Sequence, residues 1–243
     1  MAYVLILGAT SDIGWAVAEE YATRGYDLYL AARRSERLKE PAKVLAEKYG
    51  VNAVPMDFDV RDIYGHEDFV RLLDPAPEGV LCFVGTLGRG PAPPEDLEDL
   101  KEVVEVNFLG VAAFMEISAR VLQEAGRGFI VGVSSVAGDR GRQSNYPYGS
   151  AKAGFTAYLS GLRQRLHPKG IQVLTVKPGF VRTRMTEGMN LPPLLTANPD
   201  EVARRIVRAQ EAGKNVIYVR RIWRPIMALI RILPERVFKR LRL

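Results

Sequence analysis

Tyr148 and Lys152 are the two residues of this 243-residue chain best suited to chemistry. On a helix, positions four apart lie one above the other. An ammonium placed there can hold a phenol near ionisation, which makes the phenol a proton donor or acceptor at neutral pH. Tyr-x-x-x-Lys alone is a weak signal, but Ser135 precedes it by thirteen residues, and Asn107 lies further upstream. The combination predicts an acid–base site.

Two neighbours compete for these roles. Tyr146 is six residues from Lys152, so it faces another side of a helix. Ser134 points to the opposite side of an extended chain from Ser135, and we expect it to support the site. The order of the motif therefore favours Ser135 and Tyr148.

A glycine-rich turn, Gly8-Ala-Thr-Ser-Asp-Ile-Gly14, opens the chain between an apolar run and a helical pattern. Gly8 permits a sharp turn, and Gly14 lets the helix pack close to the strand. The backbone N–H groups between them face an anion, which predicts a dinucleotide pyrophosphate held at Gly8, Thr10, Ser11, Asp12 and Ile13. Because the carboxylate of Asp12 would repel a pyrophosphate, we expect it to point away and cap the helix.

The end of the second apolar run, Ala31-Ala-Arg-Arg34, bears on the choice of cofactor. An enzyme that uses NAD usually places an acidic residue there for the ribose 2′-hydroxyl. Arg33 and Arg34 can instead hold a 2′-phosphate by charge-assisted hydrogen bonds. The alternative is that both are the solvated start of a charged helix. We predict NADP(H).

Apolar runs alternate with helical patterns along the whole chain, which predicts a parallel sheet covered on both faces. We expect a doubly wound Rossmann-type α/β domain with three layers. The expected strands cover 2–7, 27–32, 51–56, 80–84, 129–134, 171–177 and 215–219. The expected helices begin near 13, 35, 94, 148 and 199.

These motifs, with Lys177-Pro-Gly-Phe-Val-Arg-Thr183, resemble the short-chain dehydrogenase/reductase family over nearly the whole chain. The resemblance implies that Tyr148 is the general acid in ketone reduction and that Ser135 hydrogen-bonds the substrate oxygen. Lys152 would hold the nicotinamide ribose, and Asn107 would hold a water in the proton path. Further cofactor contacts are implied at Asp59, Val60, Val84, Gly85, Pro178, Gly179, Val181 and Thr183.

The chain departs from the family pattern at two places. Asp12 stands at the middle glycine of the turn, and Phe83-Val-Gly-Thr-Leu-Gly88 replaces the usual Asn-Asn-Ala-Gly. Gly85 can still admit the ribose, so the departure indicates a divergent branch. The family also implies a homodimer or homotetramer through the helices that carry Asn107 and Tyr148, with the small face near Gly154 suited to close packing. Arg182 and Arg184 are either solvated or placed to meet an anionic substrate.

The basic character of the chain comes from its C-terminal end. Of the formal charge of +6, residues 220–243 supply eight cations and one carboxylate, which leaves −1 for residues 1–219. A near-neutral body argues against nucleic-acid binding. The single cysteine, Cys82, excludes an intramolecular disulfide and is expected in the core. His66 and His167 are expected at the surface, and no metal site is predicted.

Residues 220–243 form a basic amphipathic extension to the catalytic domain predicted over 1–219. Such a segment with a tryptophan suits a membrane surface, and it equally suits packing on the substrate lid or on a neighbouring subunit. A narrower resemblance is to the decaprenylphosphoryl-ribose 2-keto reductase branch, and it is carried by the extension, Val84-Gly85 and 179–186. That resemblance implies a keto group on a lipid-linked sugar as the substrate.

No secretory leader and no long apolar run is apparent, so we expect a cytoplasmic protein, either free or peripheral on the inner membrane face. The partner is expected to be a small or lipid-linked carbonyl or alcohol. An alternative function on the same fold is a non-catalytic NADP(H)-binding scaffold or redox-sensing regulator. The complete set of Ser135, Tyr148 and Lys152 favours the enzyme.

Overall fold

The computed structural model describes residues 2–90, 94 and 96–241, so Met1, Arg242 and Leu243 of the predicted segments lie outside the described residues. Within the described part, seven parallel strands form one sheet in the order β3-β2-β1-β4-β5-β6-β9. These strands are β1 Tyr3–Leu7, β2 Asp27–Ala32, β3 Ala53–Asp57, β4 Gly79–Cys82, β5 Phe129–Val133, β6 Gln172–Lys177 and β9 Val216–Tyr218. A separate parallel pair is β7 Phe180–Val181 with β8 Thr196–Ala197.

The central strands are buried along their length, which explains why they read as continuous apolar runs without alternation. Every residue of β2 and β4 is buried. The predicted strands are confirmed, with β4 ending at Cys82 instead of at residue 84. The chain leaves the sheet there because the backbone of Phe83 and Val84 turns past Gly8, where an added Cβ would lie 3.0 Å from it.

Helices cover both faces of the sheet and give the predicted three layers. They are α1 Asp12–Ala22, α2 Lys39–Tyr49, α3 His66–Arg71, α4 Leu97–Val104, α5 Gly110–Ala125, α6 Tyr146–Leu166, α7 Pro199–Glu211, α8 Trp223–Ile232 and α9 Glu235–Phe238. One apolar core includes residues of α1, α2 and α7, and the other includes residues of α5 and α6. No helix in the described part of the chain is long and apolar enough to cross a membrane.

The helix expected from about residue 94 begins later, at Leu97. Asp96 sets this start, because its carboxylate accepts a hydrogen bond from the Asp99 N–H at 2.8 Å. The helical chain then continues to Ala125 through a π-helical segment, Glu105–Leu109, that joins α4 to α5. Local widening of this kind is frequent at functional sites, and here it contains Asn107.

The expectation that His66 is a surface residue is wrong. His66 is 1% exposed and stacks on Phe58, with 5.2 Å between the ring centroids. Its Nε2 lies 3.1 Å from the Val60 carbonyl oxygen, and burial lowers its pKa. His66 begins α3, which places its ring among the aromatic residues of the core. His167 is exposed as expected, and Cys82 is buried.

The extension packs against the body of the domain. Trp223 is 4% exposed and lies so close to Gly179 that an added Cβ there would be 2.0 Å from the indole. Arg140 donates hydrogen bonds to the carbonyl oxygens of Ile230 and Leu233, each at 2.6 Å, and its guanidinium lies 3.8 Å from the Phe238 ring centroid. The extension therefore packs on its own domain, and part of its apolar surface stays exposed.

Candidate active site

The candidate residues follow the carboxyl ends of β1, β4, β5 and β6. In an open parallel sheet these ends lie at one edge, and ligands bind where the strand order reverses, which here is between β1 and β4. Two adjoining cavities open at this edge. We name the cavity of about 450 Å³ that contains Tyr148 the catalytic cavity. We name the one of about 290 Å³ that contains Arg33 the adenosine cavity.

The structure brings three of the predicted catalytic residues together. Ser135, Tyr148 and Lys152 all line the catalytic cavity. Helix α6 places Tyr148 and Lys152 one turn apart near its N-terminal end. Ser135 follows β5 and caps a 3₁₀ turn, because its Oγ accepts a hydrogen bond from the Ala137 N–H at 3.1 Å.

Lys152 is a buried cation with little to stabilise its charge. It is 2% exposed, and its Nζ donates to the Val133 carbonyl oxygen at 3.1 Å. Burial lowers its pKa to about 8. The Nζ lies 5.7 Å from the centroid of the Tyr148 ring, so the cation faces the phenol along the same side of α6.

The protonation of Tyr148 differs from the expectation. Burial raises the pKa of its phenol to about 12, and a hydrogen bond with Ser135 acts in the opposite direction. Desolvation is therefore the larger effect, and it keeps Tyr148 protonated at neutral pH. A protonated phenol is the form that can donate a proton to a carbonyl oxygen.

Asn107 is fully buried, and its carboxamide holds the loop after β4. Its Nδ2 donates to the carbonyl oxygens of Thr86 and Val103, both at 2.8 Å, and its Oδ1 accepts from the Thr86 N–H at 3.2 Å. At Gly85 an added Cβ would lie 2.9 Å from this Oδ1 and 3.4 Å from the Nζ of Lys152. Only glycine fits between the two side chains. The predicted water of Asn107 stays a prediction.

The competing residues lie where the spacing predicts. The Oγ of Ser134 donates to the Lys152 carbonyl oxygen at 2.9 Å and lies 2.7 Å from the Thr156 hydroxyl, so it supports α6 from behind. The side chain of Tyr146 is exposed. Ser135 and Tyr148 line the catalytic cavity with Lys152, whereas the hydroxyl of Ser134, which also lines it, is bonded to α6.

The glycine-rich turn forms a cradle suited to a pyrophosphate. Gly8 has a φ of +78°, and at Gly14 an added Cβ would lie 2.5 Å from the Gly8 carbonyl oxygen. The N-terminus of α1 opens onto this space, and its dipole favours an anion. Most of the predicted cofactor residues line the two cavities, and they fit a dinucleotide. Gly8, Thr10, Ser11, Arg33, Asp59 and Val60 line the adenosine cavity, Val84 and Gly85 line both, and Ile13, Pro178, Gly179, Val181 and Thr183 line the catalytic cavity.

The two arginines after β2 separate in the structure. Arg33 lines the adenosine cavity near Asp59. The pKa of Asp59 is lowered mainly by Arg61, and the charge of Arg33 adds a smaller effect in the same direction. Both arginines are exposed, but Arg34 lies outside both cavities, at the start of the 3₁₀ turn Ser35–Leu38. Of the two arginines, Arg33 alone lines this cavity.

The expectation that Asp12 caps the helix is wrong. Ser11 caps α1, because its Oγ accepts from the Gly14 N–H at 3.0 Å. Asp12 does point away from the cradle, and it pairs with Arg184 at 2.9 Å while accepting from the Arg184 N–H at 2.8 Å. Arg184 also donates to the Thr10 carbonyl oxygen. A cation thus neutralises the unusual carboxylate and ties 184–186 to the glycine-rich turn.

Sequence reasoning missed several residues of the catalytic cavity. Arg142 and Asn145 lie in the turn before α6, and Trp223 belongs to the extension. The turn Asp139-Arg-Gly-Arg-Gln143 carries a basic signal between the candidate serine and tyrosine that could have indicated Arg142. Arg182 is exposed outside this cavity, and the side chain of Arg184 is held by Asp12.

Comparisons with known proteins decide the family. A family model described as short chain dehydrogenase matches residues 2–192. The chain belongs to the short-chain dehydrogenase family. It is similar to an uncharacterized oxidoreductase of Mycobacterium tuberculosis, with 36% identity over 98% of this chain and 96% of that protein.

Solved structures of the same fold agree with this assignment. A short-chain dehydrogenase from Sphingobium yanoikuyae in complex with NADPH has a TM-score of 0.83 and 26% identity, and the match covers 97% of each chain. An alcohol dehydrogenase from Thermococcus sibiricus complexed with 5-hydroxy-NADP has a TM-score of 0.81 and 26% identity, over 92% of this chain and 97% of that one. This short-chain dehydrogenase is therefore an NAD(P)-dependent oxidoreductase that acts on CH–OH and C=O groups.

The buried charge of Lys152 leads to a prediction about stability. Lys152→Met should stabilise the protein without added nucleotide at pH 7 by roughly 2 kcal/mol, because it removes the desolvation of an ammonium at the loss of one hydrogen bond. The folded pKa is lowered, so the wild type gains stability as pH rises from about 8 towards 10.5. The advantage of the variant should therefore shrink between pH 7 and 9.5, as thermal unfolding at the two pH values would show.

Lys177→Met is the matched control. Lys177 is also buried, but its Nζ lies 2.5 Å from a carboxylate oxygen of Asp139. Its removal leaves that carboxylate without a cation and should destabilise the protein by about 3–5 kcal/mol. A loss of stability at pH 7 in both variants would show that the Lys152 ammonium is stabilised by the fold.

Proposed function

We propose that this protein is an NADP(H)-dependent carbonyl reductase or alcohol dehydrogenase that moves a hydride between nicotinamide and a carbonyl or secondary alcohol. One observation carries the proposal: Ser135, Tyr148 and Lys152 share a cavity that adjoins a groove shaped for a dinucleotide, with Gly85 at the junction. A dinucleotide held in the adenosine cavity would therefore lie beside the proposed reacting groups.

Each side chain has a distinct task in this scheme. Bound NADPH would supply the hydride for the carbonyl carbon. Ser135 donates a hydrogen bond to the carbonyl oxygen, and Tyr148 gives that oxygen its proton, so that one hydride and one proton make the alcohol. The Lys152 ammonium favours the phenolate that Tyr148 becomes, which lowers the barrier to proton transfer. In the reverse direction the Tyr148 phenolate accepts the proton.

The alternative function is a non-catalytic scaffold or redox-sensing regulator that binds NADP(H). Such a protein needs the adenosine cavity and the glycine-rich turn, but it does not need a buried cation beneath a protonated phenol. The desolvation of Lys152 is unfavourable to folding, and catalysis gives a reason to retain it.

Replacing the proton donor tests the proposal against this alternative. Tyr148→Phe keeps the ring and removes the hydroxyl, so turnover should fall by about 10²-fold or more while NADPH affinity stays unchanged. The measurement is NADPH oxidation with a panel of ketones and aldehydes, together with NADPH titration. Tyr146→Phe, at an exposed position two residues away, should keep full activity. Near-normal turnover in Tyr148→Phe would reject the role of Tyr148.

The preference for NADP(H) rests on Arg33. Its guanidinium lines the adenosine cavity directly after β2, where no acidic residue stands for a ribose hydroxyl. A guanidinium suits a 2′-phosphate because it forms charge-assisted hydrogen bonds with it. The NADPH and 5-hydroxy-NADP of the two similar structures support the same preference.

Arg33→Ala should weaken NADPH binding by about 10- to 100-fold, because a charge-assisted contact contributes about 1.5–3 kcal/mol. NADH binding should change far less. Arg34→Ala is the matched control, since Arg34 lies outside the adenosine cavity. Calorimetric or fluorescence titration of both cofactors provides the measurement, and an equal loss for NADPH and NADH would contradict this role of Arg33.

A finer proposal concerns the substrate, a keto group on a lipid-linked sugar, and a peripheral contact with the membrane. The extension carries exposed apolar side chains at Leu229, Ile232 and Val237, with exposed arginines between them. Apolar and cationic groups on one surface favour an anionic bilayer.

We further propose a homo-oligomer, for which exposed Val104 and Leu109 beside Asn107 offer apolar surface. Gly154 lies under Phe108 of its own chain and is less suited to this contact.

The membrane proposal predicts co-sedimentation with anionic vesicles that weakens with salt. A truncation at residue 219 would remove buried Trp223 and Met227, so substitutions are the better test. Leu229→Glu with Ile232→Glu should abolish sedimentation, whereas Leu72→Glu, at an exposed apolar residue of the body, should leave it unchanged. Equal sedimentation of all three proteins, or none in the wild type, would refute the membrane contact.

A further inference from the structure

Two polar side chains, each with an unpaired atom, line the catalytic cavity beside Ser135 and Tyr148. Arg142 and Asn145 lie in the turn before α6, and the Asn145 N–H donates to the Arg142 carbonyl oxygen at 3.2 Å. This backbone bond fixes the two side chains relative to each other. The Nε of Arg142 and the Oδ1 of Asn145 are both buried without a hydrogen-bond partner.

The guanidinium of Arg142 has only a weak partner. Its Nη2 donates to the sulfur of Met227 at 3.2 Å, and a thioether is a poor acceptor. Burial lowers the pKa of Arg142, with a smaller opposing effect from Asp139. A buried guanidinium in this state is unfavourable unless another group supplies negative charge.

Asp139 does not supply that charge by direct pairing. One of its carboxylate oxygens accepts from the Nζ of Lys177 at 2.5 Å, and the other accepts from the Tyr218 hydroxyl at 2.8 Å. Both oxygens are therefore engaged. In the described part of the chain, Arg142 makes no salt bridge. The remaining candidate for its Nε is a ligand in the cavity.

Asn145 stands at the position where an asparagine usually caps a helix. Its side chain makes no capping hydrogen bond with α6, although a carboxamide oxygen commonly accepts from an N–H of the first turn. The carboxamide is left to face the cavity lining. Its unpaired oxygen can accept a hydrogen bond from a hydroxyl or amide group. The apolar side chains of the cavity lining have no such donor.

The other cations near the cavity are already engaged or lie elsewhere. Lys152 faces the phenol of Tyr148, and Arg184 is paired with Asp12. Arg182 is exposed and lies outside the cavity lining. Arg142 is the guanidinium that shares the cavity with the candidate proton donor.

We propose that Arg142 binds an anionic group of the substrate, a carboxylate, sulfonate or phosphate, and that Asn145 accepts a hydrogen bond from a hydroxyl of the same molecule. The inference deepens the proposed function, on which it rests, by naming the class of carbonyl substrate. Met227 of α8 packs against the guanidinium, so the extension helps to position Arg142 for this contact.

Matched pairs of charged and neutral carbonyl compounds test the inference. Levulinate with methyl levulinate, and dihydroxyacetone phosphate with dihydroxyacetone, differ in the anionic group. The wild type should reduce the anionic member of at least one pair with the higher kcat/KM. Arg142→Met should lower that kcat/KM by about 10- to 100-fold, mainly through KM, and leave the neutral member within about threefold, because it removes a charge-assisted contact. Arg182→Met is the matched control and should retain the preference.

A binding measurement separates this inference from the proposed function. Calorimetry on the protein saturated with NADP⁺ should detect levulinate or inorganic phosphate with the wild type and lose it with Arg142→Met. Asn145→Asp should also weaken the anion, because it adds a carboxylate to the cavity. Anion binding without reduction of any carbonyl would count against the proposed function alone. Reduction of neutral and anionic members with equal kcat/KM, and no anion binding, would overturn the inference alone.

Folding of the variants can be controlled within the same experiment. Arg142→Lys retains a cation without the guanidinium geometry and should keep part of the anion preference. If Arg142→Met does not fold, a loss of preference in Asn145→Asp with unchanged NADPH binding supports the inference, and an unchanged preference in that variant rejects it. The preferred anion then identifies the source of the group: a carboxylate or sulfonate indicates a small acid, and a phosphate indicates a phosphate ester or a lipid-linked phosphate.

Discussion

The placement of the Lys152 ammonium inside the protein constrains the rest of the site. The side chain is buried with one carbonyl oxygen as its partner, so its surroundings must approach closely and hold it in one position. At Gly85 an added Cβ would touch the Nζ at 3.4 Å and crowd the Asn107 Oδ1 at 2.9 Å, and at Gly138 an added Cβ would lie 2.8 Å from the Lys152 backbone. Ser134 fixes the Lys152 carbonyl from the other side. The need to enclose the Lys152 side chain therefore fixes the positions of three segments: the loop after β4, the turn after β5, and α6.

Burial acts on three charged or chargeable groups of the cavity in the same direction, since it disfavours their charged forms. It lowers the pKa of Lys152 and Arg142 and raises that of Tyr148. A negative charge that enters or forms in the cavity is stabilised by both cations, and the low dielectric strengthens that attraction. The desolvation that weakens folding at these positions therefore strengthens the binding of an anion and the formation of a phenolate.

The sequence was sufficient where the signal is local. The apolar strands, the glycine-rich turn and the spacing of Tyr148 and Lys152 each depend on residues close together in the chain, and the structure has them as predicted. The failures depend on distant partners. Ser11 caps α1 in place of Asp12, and the carboxylate of Asp12 pairs with Arg184, 172 positions away, which nothing in its own segment indicates. His66 is buried because α3 faces an aromatic core that the local polar sequence does not reveal.

The difference between local signals and distant contacts also separates the residues of the reaction from those proposed to select the substrate. The candidate acid–base residues and the cofactor cradle lie at the carboxyl edge of the parallel sheet. Arg142, Asn145 and Trp223 come from a turn and from the extension. The buried contacts of Asp139 with Lys177 and Tyr218 join this turn to the ends of β6 and β9. The turn that carries Arg142 is thereby anchored to the sheet. On our proposal that Arg142 binds an anion, changes in the extension, which contacts its guanidinium through Met227, should alter anion preference without disturbing Tyr148 and Lys152.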